Sequence, residues 1–193
     1  MTTLAQPTHP QSLADTLWSG GLLRNVLLAL AGTLALAISA KIQVPFYPVP
    51  MTMQTFVVLV IGMAYGWRLG GATVLLYLAQ GAAGLPVFAA GGGLAYFAGP
   101  TAGYLVGFFV SAVVVGLLAQ RAWDRHVVTT LIAMTIGTAI IFAFGAAWLS
   151  VLAGVEVAVT KGVLPFIYGA VFKIGLAAAV LPLAWKFTRK GGA

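Results

Sequence analysis

The sequence predicts an all-α polytopic membrane protein with six transmembrane helices, both termini cytoplasmic, and non-helical outer loops. Three observations lead there. Of the 193 residues, 61% are hydrophobic and only 7% are charged, too few charges to cover a soluble domain of this size. Residues 42–67, 69–120 and 127–155 contain no Asp, Glu, Lys or Arg. A spanning helix needs roughly 20 apolar residues, so these windows hold one, two and one spans. The third observation is the placement of the basic residues, which selects the orientation.

Taken in order, the first helix covers about 22–40 and the second about 52–67. The third follows at about 69–83, the fourth at 101–120, the fifth at 127–149 and the sixth at 163–186. Segments two and three are short for a full crossing. With both termini inside, the inner regions carry Arg24, Arg68, Arg121, Arg125, Lys186, Arg189 and Lys190, against Lys41 and Lys161 outside. The positive-inside rule selects this arrangement. Residues 1–20 contain Pro7, Pro10 and Gly20 and read as a flexible cytoplasmic tail. Residues 21–193 form the membrane domain. The net charge of +7 belongs to span flanks, with no basic run for nucleic acid.

The outer connections are the unusual ones. Residues 41–51 hold three prolines in VPFYPVP, which forbid a helix there. Residues 84–100 centre on Gly91-Gly92-Gly93, and residues 150–162 carry Glu156 and Lys161. A solute arriving from outside meets this face first.

Within the spans Lys173 stands out, eight residues past Pro165 and so about 12 Å down its helix. A charge at that depth faces a cavity or a partner. Gly169 and Ala170 leave space on the outward turn. It is either a cation awaiting an anionic ligand group or a structural lysine satisfied by carbonyls or by Glu156. Gln54 offers amide donors and an acceptor, suited to an amide or urea, or else serves as interhelical glue. Gln80 and Asn25 read as glue. The aromatics Phe46, Tyr47, Phe88, Tyr96, Phe97 and Tyr104 gather around the outer connections; they are an interfacial belt or the walls of a pocket. Ala31, Ala35 and Ser39 make a stripe of small residues on the first helix, for internal packing or for a partner membrane protein. A second stripe runs through Ala29, Thr33 and Ala37.

Enzymatic readings fare badly. The acids are Asp15, Asp124 and Glu156, the histidines His9 and His126, and cysteine is absent. No paired carboxylates, metal cluster or nucleophile constellation can be assembled, and no nucleotide motif is present. No cofactor or metal is expected.

Four stretches in order, VPFYPVPMTMQTF, GGATVLLYLAQGAAGLPVFAAGGG, AGPTAGYLVGF and GVLPFIYGAVFK, resemble the successive signature blocks of the BioY family of biotin transporters. The resemblance spans roughly 22–187. It implies the substrate-binding (S) component of an energy-coupling factor transporter in the cell (inner) membrane. Such a component works with a transmembrane coupling protein and two cytosolic ATPases, or alone. It also implies biotin as ligand, whose carboxylate, aliphatic chain and ureido ring match a cation, an aromatic cavity and an amide. The substrate-binding candidates are therefore Lys173, Gln54, Tyr47, Phe88, Tyr96, Tyr104 and Glu156, with Ala31, Ala35 and Ser39 for docking. The family pattern often has an acid three positions before the lysine; here that position is Ala170. The proline strip and loop 84–100 are expected to close together over the pocket. The alternatives are an S component for another vitamin and a membrane scaffold without a small ligand.

Overall fold

A computed structural model describes residues 12–18 and 21–190. The chain opens with α1 (Leu13–Leu17), where the Ser12 side chain caps the Asp15 amide and the Asp15 carboxylate bonds back to the Ser12 amide. Leu13 and Ala14 are buried. A short packed helix thus stands where a flexible tail is expected; the rest of that tail, 1–11 and 19–20, lies outside the described residues. Helix α2 (Leu22–Lys41) follows. Beyond it the chain doubles back as two short antiparallel strands, β1 (Gln43–Val44) and β2 (Met51–Thr52), with Gln43 opposite Thr52. The proline strip is the turn between them.

Helix α3 (Gln54–Ala82) is not a straight rod. Gly66 has φ 76° and ψ 171°, a backbone state that suits glycine, and the chain reverses there. Gln54 and Tyr77 would lie about 34 Å apart on one straight helix, yet their side chains are 2.6 Å apart. The arms 54–65 and 67–82 therefore run antiparallel. They meet where a Cβ on Gly70 would lie 3.0 Å from the Gly62 Cα, an approach that only glycine permits. The predicted second and third segments correspond to these arms.

Helix α4 (Ala102–Gln120) lies alongside the first arm, with Gly62 set against the Ala112 backbone. Helix α5 (Val127–Ala153) runs back along α4, where Gly107 meets the Ile141 backbone. Gly154, at φ 86°, ends α5 and starts α6 (Val155–Gly162). The segment expected as the third non-helical outer loop is thus mostly helix: α5 continues to Ala153, and only Gly154 interrupts it before α6. Helix α7 (Phe166–Lys190) completes the bundle and contains Pro182.

The core holds Leu36, Val58, Met63, Val74, Ala112, Val115 and Ile141, all fully buried. The outer faces of α2 and α7 are apolar and exposed, with Leu30, Leu34 and Ile38 on one and Val171, Phe172 and Val180 on the other. Such faces suit lipid contact rather than water. Among the described residues, five helices are long and apolar enough to cross a membrane by length and composition. The protein is a mostly helical, multi-pass membrane protein.

The two ends of the bundle differ. One carries both long loops and the starts of α3, α4 and α7. The other carries the Gly66 reversal and the α4–α5 connection. At this second end Arg24 pairs with Asp15 at 2.7 Å. Burial pushes the Asp15 carboxyl up, but hydrogen bonds from Ser12 and Arg24 and the Arg24 charge outweigh it, holding it below its ordinary value. Asp124 is buried and accepts a 2.5 Å bond from Trp185 Nε1. Burial raises its carboxyl above the ordinary value, and the Trp185 bond and Arg125 charge only partly oppose this. Arg125 also stacks over the Trp185 ring at 4.3 Å.

Candidate functional site

A pocket opens at the loop end between α3, α4, α5 and α7, with both long loops on its rim. Its walls follow from where those helices begin. The first turn of α3 contributes Gln54 and Thr55, and the first turns of α4 and α7 contribute Tyr104 and Phe166. Phe108, Met134 and Phe142 supply apolar depth, while Phe88 and Tyr96 come from the glycine loop.

Lys173 is the one charged residue among the described residues that line the pocket. Its Nζ donates to the Thr52 carbonyl at 2.5 Å and to Thr55 Oγ1 at 3.0 Å. An ammonium has three donors, so one remains for the cavity. Carbonyl satisfaction, one of the two expectations, is thus present together with a pocket-facing position. Ala170, one turn earlier on α7, also lines the pocket, so a methyl group and no acid stands beside Lys173 there. The ion pair of Arg24 with Asp15 is the only salt bridge among the described residues.

Glu156 does not reach Lys173. It lies exposed in the first turn of α6, away from the pocket, because Gly154 turns α6 off the end of α5. Tyr47 is likewise misplaced by sequence reasoning. It is 88% exposed and absent from the pocket wall. Pairing of β1 with β2 folds the proline strip on itself, so its tip projects while Val49, Pro50 and Met51 face inward.

The other candidates are brought together. Gln54 is buried, and its Nε2 donates to the Tyr77 hydroxyl at 2.6 Å. Phe88 is fully buried, 4.8 Å from the Tyr96 ring and edge-on to Tyr77 and Phe97. Tyr104 lines the pocket, and its hydroxyl donates to the Gly162 carbonyl at 2.7 Å. Phe46, by contrast, leans edge-on against Phe166 at 6.2 Å.

On α2, Ala31 and Ala35 are exposed but Ser39 is buried and bonds to the Leu36 carbonyl. Only part of the small-residue stripe is therefore available to a partner. The second stripe faces inward: Thr33 is buried and meets Gln80 Nε2 at 3.5 Å.

Sequence reasoning missed Thr52, Thr55, Tyr77 and Phe166. Tyr77 had a signal, a lone hydroxyl within the apolar run VLLYLA. Thr52 acts through its backbone carbonyl, which no residue identity reveals. No group of His, Cys, Asp or Glu among the described residues is placed to hold a metal ion.

The sequence model of the BioY family matches residues 8–190. This chain belongs to the BioY family. Among curated relatives, the biotin transporter BioY of Rhizobium etli is 40% identical over 155 residues, 75% of this chain and 82% of that protein. The probable biotin transporter BioY of Pyrococcus horikoshii is 36% identical over 145 residues, covering 75% of this chain and 85% of its own length. The Thermotoga maritima biotin transporter BioY is 35% identical over 164 residues, covering 82% and 94%. The crystal structure of the S-component for biotin from an ECF-type ABC transporter superposes with a TM-score of 0.74. It covers 85% of this chain and 92% of that one at 24% identity, so the two chains share a fold. The relatives are transporters rather than enzymes.

Proposed function

We propose that this chain binds biotin from the outer side of the cell (inner) membrane and mediates its uptake, as the substrate-specificity subunit of an energy-coupling factor transporter or as a solitary transporter. The observation that carries this reading is Lys173: among the described residues of an aromatic-walled pocket it is the lone cation, with no acid beside it on the walls. Its free donor takes the biotin carboxylate. The aliphatic chain and thiophane ring lie among Phe88, Tyr96, Tyr104 and Phe166, and the ureido group reaches the Gln54 corner. The names of the curated relatives support the same ligand.

In this reading α2, the two arms of α3, α4, α5 and α7 make six crossings, with both termini cytoplasmic. The loop end then faces outward, and the bias of basic residues toward the other end supports that direction. The arms of α3 are about 18 and 24 Å long, below the roughly 30 Å of a bilayer core, and packing inside the bundle compensates. A transmembrane coupling protein and two cytosolic ATPases are the partners in the energised form, and Ala31 and Ala35 are the exposed small residues against which the coupling protein docks.

Calorimetry on purified protein in detergent tests the ligand. Biotin is expected to bind without ATP. A well-folded protein that ignores biotin but binds another vitamin overturns the reading.

A further inference from the structure

We infer that Tyr77 is a positioning residue that turns the Gln54 amide oxygen toward the pocket, so that this corner selects a ligand N–H. The Tyr77 hydroxyl lies 2.9 Å from the Val87 carbonyl and 2.6 Å from the Gln54 amide. A carbonyl only accepts, and a phenol has a single hydrogen. That hydrogen goes to Val87, because two oxygens at this separation without a proton between them repel. Tyr77 is fully buried, so no bulk water substitutes. The Gln54 group facing Tyr77 must therefore be the donating NH2.

The amide oxygen then points away from Tyr77. Its contact there is Thr52 Oγ1 at 3.4 Å, longer than a good hydroxyl hydrogen bond. Thr52 Oγ1 already accepts from the Gln54 backbone amide at 3.2 Å. A ligand donor is thus a better partner for this oxygen than anything the protein supplies. Phe88, packed edge-on against Tyr77 at 5.4 Å, holds the ring in place. A backbone carbonyl of the glycine loop hence decides the polarity of a pocket amide on a different element.

The identity of the donor rests on the biotin reading, which places a ureido N–H here; the orientation of the amide does not. The test has two arms accordingly. In ligand-free, 15N-labelled protein, one Gln54 side-chain proton is expected to exchange slowly, and Tyr77→Phe abolishes that protection. Equal, fast exchange of both protons in the wild type overturns the inference, whether or not biotin binds. In the second arm, dissociation constants are measured for biotin and a ureido-N-methylated biotin in wild type, Tyr77→Phe, Gln54→Leu and the double variant. Tyr77→Phe is expected to weaken biotin about 3- to 10-fold, to narrow the preference for biotin over the methylated compound, and to change affinity less than about 2-fold once Gln54 is Leu. An equal loss in both backgrounds means that Tyr77 only supports the loop, and the inference fails. A wild type that binds no biotin sinks the biotin reading, and the exchange arm alone then decides the orientation.

Discussion

The two loops over the pocket are opposites in sequence and in anchorage. The strip from Ile42 to Met53 is rich in proline, yet its tip is exposed and it is held mainly at its base. There β1 meets β2, the Met53 amide bonds to the Ile42 carbonyl at 3.0 Å, and Lys173 holds Thr52. The loop from 83 to 101 is rich in glycine and is pinned along its length. Tyr77 bonds to the Val87 carbonyl, Lys41 to the Phe88 carbonyl at 2.7 Å, and Trp148 to the Gly99 carbonyl at 2.9 Å. The Gly93 amide bonds to the Gly81 carbonyl at 2.7 Å. Proline stiffens a segment locally without attaching it to anything. Glycine leaves a segment free to follow the surface beside it, and side chains from three helices then secure it. Local rigidity and tertiary anchorage are separate properties, and here they are assigned to different loops.

The two loops should differ most when one aromatic is truncated in each. Phe88→Ala removes a fully buried ring and is expected to cost about 3–5 kcal/mol of stability, read from thermal unfolding in detergent. Tyr47→Ala is expected to stay within about 0.5 kcal/mol of wild type. Similar losses for the two would mean that both loops are anchored alike.

Next in size is Lys173→Met, which removes the charge and frees the base of the proline strip. If Lys173 holds the carboxylate as proposed, losing a charge-assisted bond of about 1.5–3 kcal/mol is expected to weaken biotin on the order of 10- to 150-fold. A neutral biotin amide should be affected much less. Equal losses for acid and amide would make Lys173 a structural tie for the strip alone.

Lys41→Met is expected to act on one loop only. Amide hydrogen exchange should rise across 88–93 and stay unchanged across 43–50. A rise in the strip instead would join the two loops into one cooperative unit.

The smallest effects belong to the other end of the bundle and serve as the control. Asp15 has a lowered folded value, so its contribution is complete above the ordinary 3.8 and fades as pH falls through the folded value. Asp124 has the opposite sign: its raised value favours the fold when protonated, and that contribution is lost as pH rises through it. In thermal melts from pH 2 to about 7, Asp15→Asn should flatten the low-pH decline and Asp124→Asn should remove the opposing slope. Exchange in both loops should be unaffected.

The membrane class, the long helical segments and the need of Lys173 for a cavity or a partner were legible in the residues alone. Lipid offers no partners for backbone groups, so long charge-free runs have to be helical, and a lysine within one has to find a cavity or a partner. The pocket positions of Gln54, Phe88, Tyr96 and Tyr104 were also legible, from aromatic and amide residues beside the loops. That Tyr47 points out, that Glu156 lies apart from Lys173 and that Ser39 is buried follows from how the helices and loops pack. Only the reversal at Gly66 brings Gln54 to Tyr77. The partners that settle the site, the carbonyls of Thr52, Val87 and Phe88, are backbone groups. Every residue type carries the same carbonyl, so their roles leave no trace in residue identity and come into being only when the chain folds.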